Sequence, residues 1–402
     1  MTMPETDPFD ADMPEQPAAP ATLPPGTAVL QVIPSLVTGG AERGCVDVAA
    51  AIMAAGGRAV VASEGGPMTR ELDRARAEHV VLPLASKNPL VIRRNIARLE
   101  ALIRSHRIDI VHARSRAPAW SAYFAAQRAG VPFMTTFHAP YGGRGRLKRL
   151  YNSVMARGER IIAISDFIAR HVQENYRVDP ARIRTIHRGI DLSIFTPASV
   201  SPERMVQLMR RWAVPDGTPV VMLPGRLTRW KGAPVLIKAM ELLGRRDVCC
   251  VLVGSEQGRT GFREELLREV RARGLEGMVR LVGDCNDMPA AYMLADVVVS
   301  ASTEPEAFGR VIVEAQAMGR PTIVSDTGAV DETIVRGQTA WVVPPNDPAT
   351  LAQAIAQALA LTPEEREAIG AASMAHARAK FERWRMCAET LAVYAELVAG
   401  RR

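Results

Sequence analysis

Short apolar runs alternate with segments of helical period along most of this chain. The runs Ala28–Ile33, Ile108–His112 and Phe133–Phe137 are largely apolar and partly β-branched, as expected of strands buried on both faces of a parallel sheet. Segments between such runs, for example Pro89–Ser105, repeat apolar residues every three or four positions and predict helices. The same rhythm restarts at Pro219–Leu223. The pattern therefore predicts an α/β fold with two doubly wound, mostly parallel sheets.

A stretch rich in proline and serine interrupts this alternation. Residues 195–202 read Phe-Thr-Pro-Ala-Ser-Val-Ser-Pro and have no apolar period. We therefore predict a linker at 196–202, between a first domain at 28–195 and a second domain at 203–381. Residues 382–402 have the apolar period of an amphipathic helix.

Charge is distributed unevenly along the chain, although the formal net charge is only +7. Residues 1–27 contain five acids, no Lys or Arg, and much proline and alanine, which predicts a disordered tail. Residues 28–195 carry 25 basic and 13 acidic side chains, whereas residues 196–402 carry 25 of each. An acidic membrane surface or a phosphorylated acceptor would suit such a basic first domain. Nucleic acid is not a predicted partner, because no zinc finger or RNA-binding signature is present.

Composition also allows predictions about cellular location and metal binding. No apolar stretch reaches the ~18 residues needed to cross a bilayer, and no secretion signal is recognisable, so we expect a cytoplasmic protein. Peripheral contact with the inner face of the cytoplasmic membrane is a further expectation. The five cysteines form no Cys-x-x-Cys pair and no cluster with histidine, which predicts no metal site. Asp10 and Asp12 resemble a metal-binding pair, but a flexible tail lacks the rigid strand end that such a pair needs.

Two glutamates stand at and beyond the end of one predicted strand. The run Ala295–Ser302 predicts a buried strand, Pro305 interrupts it, and a helical period begins at about Phe308. Glu306 therefore lies at the carboxyl edge of the sheet beside a helix N-terminus, whose free N–H groups suit an anion. Glu314, about two helical turns further on, can face the same cleft. Two carboxylates beside an anion-binding helix end predict recognition of a polyhydroxyl group attached to phosphate.

The segment from Glu306 to Pro321 resembles a known family signature. It reads Glu-x7-Glu followed by Ala-x-Ala-x-Gly-x-Pro, like the retaining nucleotide-sugar glycosyltransferases of family 4. The resemblance implies the GT-B fold, in which two doubly wound Rossmann-like domains face a central cleft. It also implies that the C-terminal helix crosses back to the first domain. The lipopolysaccharide-core hexosyltransferases are the members to which this chain is most similar in character.

A second motif directly follows the first strand of the second half. Pro224–Gly232 reads Pro-Gly-Arg-Leu-Thr-Arg-Trp-Lys-Gly and is similar to the Gly-Arg-Leu…Lys-Gly element of the family. The planar fork of Arg226 and the compact charge of Lys231 suit a diphosphate, which they would neutralise as the glycosidic bond breaks. The resemblance implies that Glu306 binds sugar hydroxyls and that Glu314 binds the ribose.

The first domain is expected to contribute to the same site. Gly39-Gly40-Ala41-Glu42 follows the first strand and resembles the glycine loop that faces the donor across the cleft. His138 ends a strand and resembles the family histidine that contacts the transferred sugar. The predicted catalytic residues are Glu306, Lys231, Arg226 and His138. The predicted donor-binding residues are Gly40, Arg226, Lys231, Cys285, Asn286, Glu306, Phe308, Gly309, Arg310 and Glu314.

Basic residues after two strands of the first domain are candidates for acceptor binding. They lie in segments that we predict to be loops, and they are Arg114, Arg116, Arg144, Arg146, Lys148 and Arg149. We expect them to bind a phosphorylated core sugar or a lipid headgroup, with a solvated basic surface as the alternative. The arginine-rich segment Pro89–Ser105 could instead rest on a membrane, but its position between two strands favours a crossover helix.

Taken together, these features predict a metal-independent, retaining hexosyltransferase that needs no cofactor. Its donor would be a nucleotide-diphosphate sugar, of UDP type by resemblance, and its acceptor a glycan or glycolipid of lipopolysaccharide or another envelope polysaccharide. No carboxylate is well placed as a nucleophile, so the resemblance implies front-face substitution in which the leaving phosphate helps to deprotonate the acceptor. Two alternatives remain: a UDP-sugar 2-epimerase of the same fold, and a non-catalytic protein that binds sugar nucleotides.

Overall fold

The computed structural model describes residues 23–37, 39–142, 145–256, 258 and 260–400. Strands in the described part form two sheets, and every strand pair recorded there is parallel. The first sheet contains β1 (Ala28–Val32), β2 (Arg58–Ser63), β3 (Glu78–Val81), β4 (Ile110–Ala113), β5 (Phe133–Phe137), β6 (Arg160–Ala163) and β7 (Ile183–Thr185). The second contains β8 (Val220–Pro224), β9 (Cys249–Val253), β10 (Val279–Gly283), β11 (Val297–Ser300), β12 (Thr322–Ser325) and β13 (Ala340–Val343).

Both sheets have the strand order of a doubly wound fold. The orders are β3-β2-β1-β4-β5-β6-β7 and β10-β9-β8-β11-β12-β13. In each sheet the order reverses beside the first strand, which is where such folds bind ligands at the carboxyl ends of the strands. The predicted architecture of two doubly wound, Rossmann-like α/β sheets is therefore confirmed.

Helices cover both faces of each sheet. Their bounds are α1 (Gly40–Ala54), α2 (Thr69–Arg74), α3 (Pro89–Ser105), α4 (Arg116–Ala129), α5 (Arg146–Ser153), α6 (Asp166–Tyr176), α7 (Pro202–Trp212), α8 (Ala233–Leu243), α9 (Thr260–Ala272), α10 (Met288–Leu294), α11 (Arg310–Ala317), α12 (Val330–Thr333), α13 (Pro348–Leu359), α14 (Pro363–Phe381) and α15 (Arg383–Ala399). Strand β1 shows why the runs are apolar throughout. Leu30 and Val32 belong to the core on one face of the sheet, and Val29 belongs to the core on the other.

The chain passes between the two sheets twice, and the two passages are bonded to each other. The Ile190 N–H donates to the Phe381 carbonyl at 2.7 Å, and the Arg383 N–H donates to the Ile190 carbonyl at 2.8 Å. Gly189 lies so close to this pairing that a Cβ there would meet the backbone of Arg383. After the second passage, α15 packs against α1, and its Tyr394 hydroxyl is 2.7 Å from His112 Nδ1 under the first sheet.

Several local predictions differ from the structure. The segment from Arg146 to Arg149, predicted as a loop, forms the first turn of α5, and Arg116 is the first residue of α4 rather than a loop residue. Helix α11 begins at Arg310, two residues after the predicted start, because Gly309 adopts a left-handed conformation. The predicted tail extends to residue 27, but Leu23 is 1% exposed and packs in the core. Asp10 and Asp12 lie outside the described residues. None of the described helices is both long enough and apolar enough to span a membrane.

Candidate active site

The carboxyl ends of β8 and β11 bring the two main charged candidates together. Lys231 Nζ forms an ion pair with Glu306 Oε1, and both side chains are largely buried. The Ser302 hydroxyl donates to the same carboxylate oxygen at 2.7 Å. Gly232 lets the Lys231 loop lie close to Ala301, which precedes Ser302. Its φ is 79°, and a Cβ at this position would collide with the Ala301 carbonyl. Residues 75 positions apart therefore form one charged pair at the sheet edge.

Arg226 and Arg229 belong to the same loop but differ in their surroundings. Arg229 forms two hydrogen bonds of 2.7 Å with the carboxylate of Glu265 and is exposed. Arg226 is also exposed, and it forms no ion pair with any carboxylate in the described part of the chain. Burial raises the pKa of Glu42 in the first domain, and the charges of Arg188 and Arg226 oppose this rise, so Arg226 is near enough to that domain to act on it. Arg226 is therefore available to an anion, whereas Arg229 is committed to a partner.

Glu314 is more enclosed than the sequence predicted. Its carboxylate accepts hydrogen bonds from the Tyr292 hydroxyl at 2.8 Å and from Arg310 Nε at 2.7 Å, and the residue is 7% exposed. Arg310 thus orients Glu314 before any ligand binds. Phe308 is 3% exposed and packs against His187 and Phe381, so its side chain supports the loop.

The predicted base-binding segment lies between β10 and α10. Cys285 is half-buried, burial raises the pKa of its thiol, and Asn286 is exposed. Asp287 caps α10 by accepting a hydrogen bond from the Ala290 N–H at 3.2 Å. It also pairs with Arg204 of α7, which fixes the end of this segment. The backbone of Cys285 and Asn286 is thus presented on an anchored turn.

The first domain forms the opposite wall of the cleft. Gly40 begins α1, and His138 follows β5. Arg188, which the sequence analysis did not single out, joins them: one guanidinium nitrogen donates to the Gly40 carbonyl and another to His138 Nδ1 at 2.6 Å. Burial and the nearby charges of Arg310 and Arg114 lower the pKa of Arg188 to about 9. The only sequence signal for this role is its position just before Gly189 and the first passage between the sheets.

Glu332 connects the two domains beside this site. From α12 it accepts hydrogen bonds from the Asp166 and Phe167 N–H groups at 2.6 and 2.7 Å, and it lies 2.9 Å from His187 Nε2. A carboxylate is favourable there because the N–H groups at the start of α6 are otherwise unpaired. We call this contact the Glu332 clasp. Burial raises the pKa of Glu332, but its hydrogen bonds to His187 and the two N–H groups lower it below its ordinary value.

A second contact across the cleft adjoins the clasp. The buried Ser165 hydroxyl donates to the Ala307 carbonyl at 2.7 Å, directly beside Glu306. Asp166, His187 and Glu332 are close enough to share a metal ion. Both oxygens of Glu332, however, already accept backbone hydrogen bonds. This cluster therefore acts as a helix cap between domains.

The candidate acceptor residues fall into three groups. Arg114 is 4% exposed and donates to Gln31 and to the Gly44 carbonyl, so its side chain is part of the interior and not of a basic surface. Arg116 donates to Asn152 at 3.0 Å and lies over the Tyr141 ring. Three residues remain exposed on α5: Arg146, Lys148 and Arg149. Arg144 lies outside the described residues.

Comparisons with known proteins agree with this geometry. Residues 38–194 match the family model described as Glycosyltransferase Family 4, and residues 207–375 match the model described as Glycosyl transferases group 1. The D-inositol 3-phosphate glycosyltransferase of Salinispora arenicola is 31% identical over 330 residues, which cover 76% of this chain and 72% of that protein. The protein of the same name from Salinispora tropica is 30% identical over 334 residues, covering 76% of this chain and 68% of that protein.

Solved structures are similar over almost the whole chain. A glycosyltransferase from Rickettsia africae ESF-5 is 35% identical, with a TM-score of 0.85, and the match covers 92% of this chain and 98% of that one. Anabaena Alr3699/HepE in complex with UDP-glucose is 22% identical, with a TM-score of 0.78 and coverage of 93% and 98%. The second likeness concerns the fold.

Proposed function

Because this chain belongs to the GT-B glycosyltransferases that join a Family 4 domain to a group 1 domain, we propose that it is a retaining hexosyltransferase acting on a UDP-sugar. The acceptor would be an anionic glycan or glycolipid, in lipopolysaccharide or other envelope polysaccharide synthesis. The observation that carries the donor class is the Lys231–Glu306 pair with the unpaired Arg226 beside it. The reaction needs a cation for the leaving diphosphate and a carboxylate for sugar hydroxyls at this point.

The donor would bind mainly to the second domain. Lys231 has three N–H protons, so it can keep Glu306 as a partner and still contact a phosphate oxygen. Arg226 would provide a fork for the diphosphate, and neutralisation of the leaving group would lower the barrier to bond cleavage. Glu306 would accept hydrogen bonds from sugar hydroxyls. Each oxygen of Glu314 keeps a free lone pair for a ribose hydroxyl beside Arg310 and Tyr292.

Retention of configuration would follow from the hydrogen bonds that the two carboxylates already make. Glu306 is held by Lys231 and Ser302, and Glu314 by Arg310 and Tyr292, so neither is poised as a nucleophile. We therefore propose front-face substitution with retention, in which the leaving phosphate takes the proton of the acceptor hydroxyl. The positive charge of Arg226 and Lys231 would make the reaction independent of a metal ion. The Glu332 clasp would close the cleft and limit hydrolysis by water.

An anionic acceptor is supported by two observations. Helix α5 exposes Arg146, Lys148 and Arg149 on the basic first domain, together with Leu147, which is 84% exposed. The curated relatives named above are D-inositol 3-phosphate glycosyltransferases, whose named acceptor carries a phosphate. The exposed leucine among cations also suits peripheral contact with the inner face of an anionic cytoplasmic membrane.

Product analysis tests the proposal. The purified protein is incubated with radiolabelled UDP-glucose, UDP-galactose and UDP-N-acetylglucosamine, each with D-inositol 3-phosphate or with membrane lipid extract as acceptor. We expect acceptor-dependent UDP release and a labelled product whose anomeric NMR coupling matches that of the donor, with no loss of rate in EDTA. An inverted product or a rate abolished by EDTA would overturn the corresponding part of the proposal.

The same assay distinguishes the two alternative functions. A 2-epimerase would release UDP and a free epimerised sugar without any acceptor. A non-catalytic binding protein would bind UDP and leave every donor intact. Transfer to D-inositol 3-phosphate alone would limit the acceptor to a small phosphorylated polyol, whereas transfer to the lipid extract would support the envelope pathway.

A further inference from the structure

Arg188 is a buried cation whose two contacts are both neutral. It is 8% exposed and forms no ion pair with a carboxylate anywhere in the described ranges. Its guanidinium lies between the Gly40 carbonyl of α1 and the His138 ring after β5. The Glu42 carboxylate attracts Arg188 without forming an ion pair, and burying such an arginine is unfavourable unless its N–H groups have well-placed acceptors. The cost of burying this charge is therefore consistent with a role in holding the Gly40 carbonyl and the His138 ring in place.

The contact with His138 determines which ring nitrogen carries the proton. A guanidinium group can only donate hydrogen bonds, so His138 Nδ1, at 2.6 Å from Arg188 Nη2, must be the acceptor. A neutral imidazole has one donor and one acceptor nitrogen, and the proton therefore resides on Nε2. His138 Nε2 is buried and has no hydrogen-bond partner among the residues that the structure describes. The ring thus retains one unused N–H donor.

We infer that Arg188 is a positioning residue that fixes His138 as a neutral Nε2–H donor and ties it to the Gly40 turn. The inference rests on the proposed function, in which His138 and Gly40 face the transferred sugar. His138 would donate a hydrogen bond to a hydroxyl oxygen of that sugar and would not act as a base. The Arg188 guanidinium would thereby set the distance between His138 and the Gly40 turn, both on the first domain's side of the cleft.

The charges around the ring favour the same state. Burial lowers the pKa of His138 well below its ordinary value, and the charges of Arg188, Arg114 and the neighbouring His112 lower it further. A second proton would have to add at Nδ1, which already faces the Arg188 guanidinium. His112 is itself engaged on both nitrogens, with Tyr394 and Thr136 at 2.7 Å each, and offers His138 no acceptor.

Nitrogen NMR of the ¹⁵N-histidine-labelled protein tests the tautomer without any activity measurement. The His138→Gln variant identifies the His138 signals by their loss. We expect the wild type to show the Nε2–H tautomer, and Arg188→Met to shift it towards a mixture of the two neutral tautomers. Arg170→Met, an exposed arginine on α6, should leave the signals unchanged. An Nδ1–H or doubly protonated His138 in the wild type would overturn the inference.

Kinetics test whether the tautomer matters for transfer. Arg188→Met and Arg188→Lys should each lower kcat/KM at least about tenfold, because one ammonium group cannot span both acceptors. The acid limb of the pH–rate profile of Arg188→Met should also lie at higher pH than in the wild type, because one of the charges that oppose protonation of His138 is removed. A merely structural arginine would lower stability without moving this limb.

A second pair of variants decides the matter if the Arg188 variants do not fold. The amide nitrogen of Gln reaches the position of Nε2, whereas that of Asn reaches only the position of Nδ1. His138→Gln should therefore retain at least about ten times the activity of His138→Asn. Equal activity would contradict donation from Nε2. If the wild type transfers no sugar at all, the proposed function fails, while the NMR result still decides the tautomer.

Discussion

The two walls of the cleft use positive charge in opposite ways. On the second domain two partly buried cations are paired with carboxylates, Lys231 with Glu306 and Arg310 with Glu314, while the exposed Arg226 has no such partner in the described part of the chain. On the first domain the buried cations, Arg188 and Arg114, are bonded to neutral acceptors. A paired wall can exchange partners when phosphate and hydroxyl groups arrive, whereas a wall of neutral bonds keeps its shape. We therefore expect changes in the second wall to affect chemistry and changes in the first to affect orientation.

Removal of Lys231 or Glu306 should have the largest effect. Lys231→Ala removes a charge that, in the proposed reaction, would neutralise the leaving group, and Glu306→Ala leaves Lys231 and Ser302 without their shared acceptor. Each should lower kcat about 10²- to 10³-fold in a protein that still folds, with a stability loss of about 1–3 kcal/mol from the partner left unpaired. Arg229→Ala is the matched control two positions away, because Arg229 is exposed and paired with Glu265. If Arg229→Ala were as damaging as Lys231→Ala, the loop would act as a general basic surface.

The residue types at the candidate donor site were predictable, but their side-chain partners were not. Glu306 and Lys231 each follow an apolar strand, and this pattern is enough to predict that both lie at the carboxyl edge of the same sheet. Arg188 acts on Gly40 and His138, which are 148 and 50 positions away, and no local pattern encodes such contacts. The enclosure of Glu314 depends on Tyr292 of another helix.

Fold prediction failed where helices bury little. Helix α5 exposes both Leu147 and Leu150, so its sequence has no apolar face directed at a core and was predicted as a loop. Strands that are buried on both faces were found because such burial makes them apolar throughout, as in β5, whose bounds match the prediction. The edge strands β7 and β13 are only partly buried and were not predicted. Domain boundaries remain a prediction.

A methyl group at Gly232 should disrupt the charged pair through the backbone. Gly232→Ala combines a left-handed φ with a collision against the Ala301 carbonyl. Gly217→Ala is the matched control, because Gly217 has φ 70° and open space around its Cβ position. We expect about 1–2 kcal/mol of destabilisation in the control and at least about 2 kcal/mol more in Gly232→Ala. Denaturant titration measures both; equal losses would mean that the close approach is unimportant.

Loss of the Glu332 clasp should separate the two sides of the cleft without changing the candidate donor-binding side chains on either side. Glu332→Ala leaves two N–H groups at the start of α6 and His187 without their partner, at a cost of about 1–3 kcal/mol. We expect faster hydrogen exchange at Asp166 and Phe167, a larger radius of gyration and more donor hydrolysis per transfer. Asp331→Ala, the exposed neighbour that pairs with Arg336, is the control. An unchanged radius and unchanged exchange would argue against the clasp.

Acid should weaken the same contact. Because the pKa of Glu332 in the folded protein lies below its ordinary value, its contribution to stability is present above that ordinary value and is lost as the pH falls through the lowered one. Hydrogen exchange at Asp166 and Phe167 should therefore accelerate below about pH 4, after correction for intrinsic rates. Glu332→Gln, which has no charge to lose, should show no such step. A step of equal size in Glu332→Gln would assign the change to other groups.

The smallest effect should come from the exposed cations of the first domain. The Arg146→Ala, Arg149→Ala double variant should raise the acceptor KM several-fold at low salt and less at high salt, because exposed charges are screened. Donor hydrolysis should not change. The control is Arg93→Ala, Arg94→Ala on α3, also exposed and basic. Equal effects in both would indicate attraction by net charge rather than a site on α5.

The paired passages between the domains have a mechanical consequence. A single linker would act as a tether and let the domains slide, twist and separate. Here two backbone hydrogen bonds through Ile190 fasten both passages side by side, with Gly189 pressed against them. We expect such a joint to favour rotation about a line through Ile190 and to resist other displacements. Every opening and closing would then return the two walls to the same alignment, so the enzyme need not search for its active geometry in each cycle.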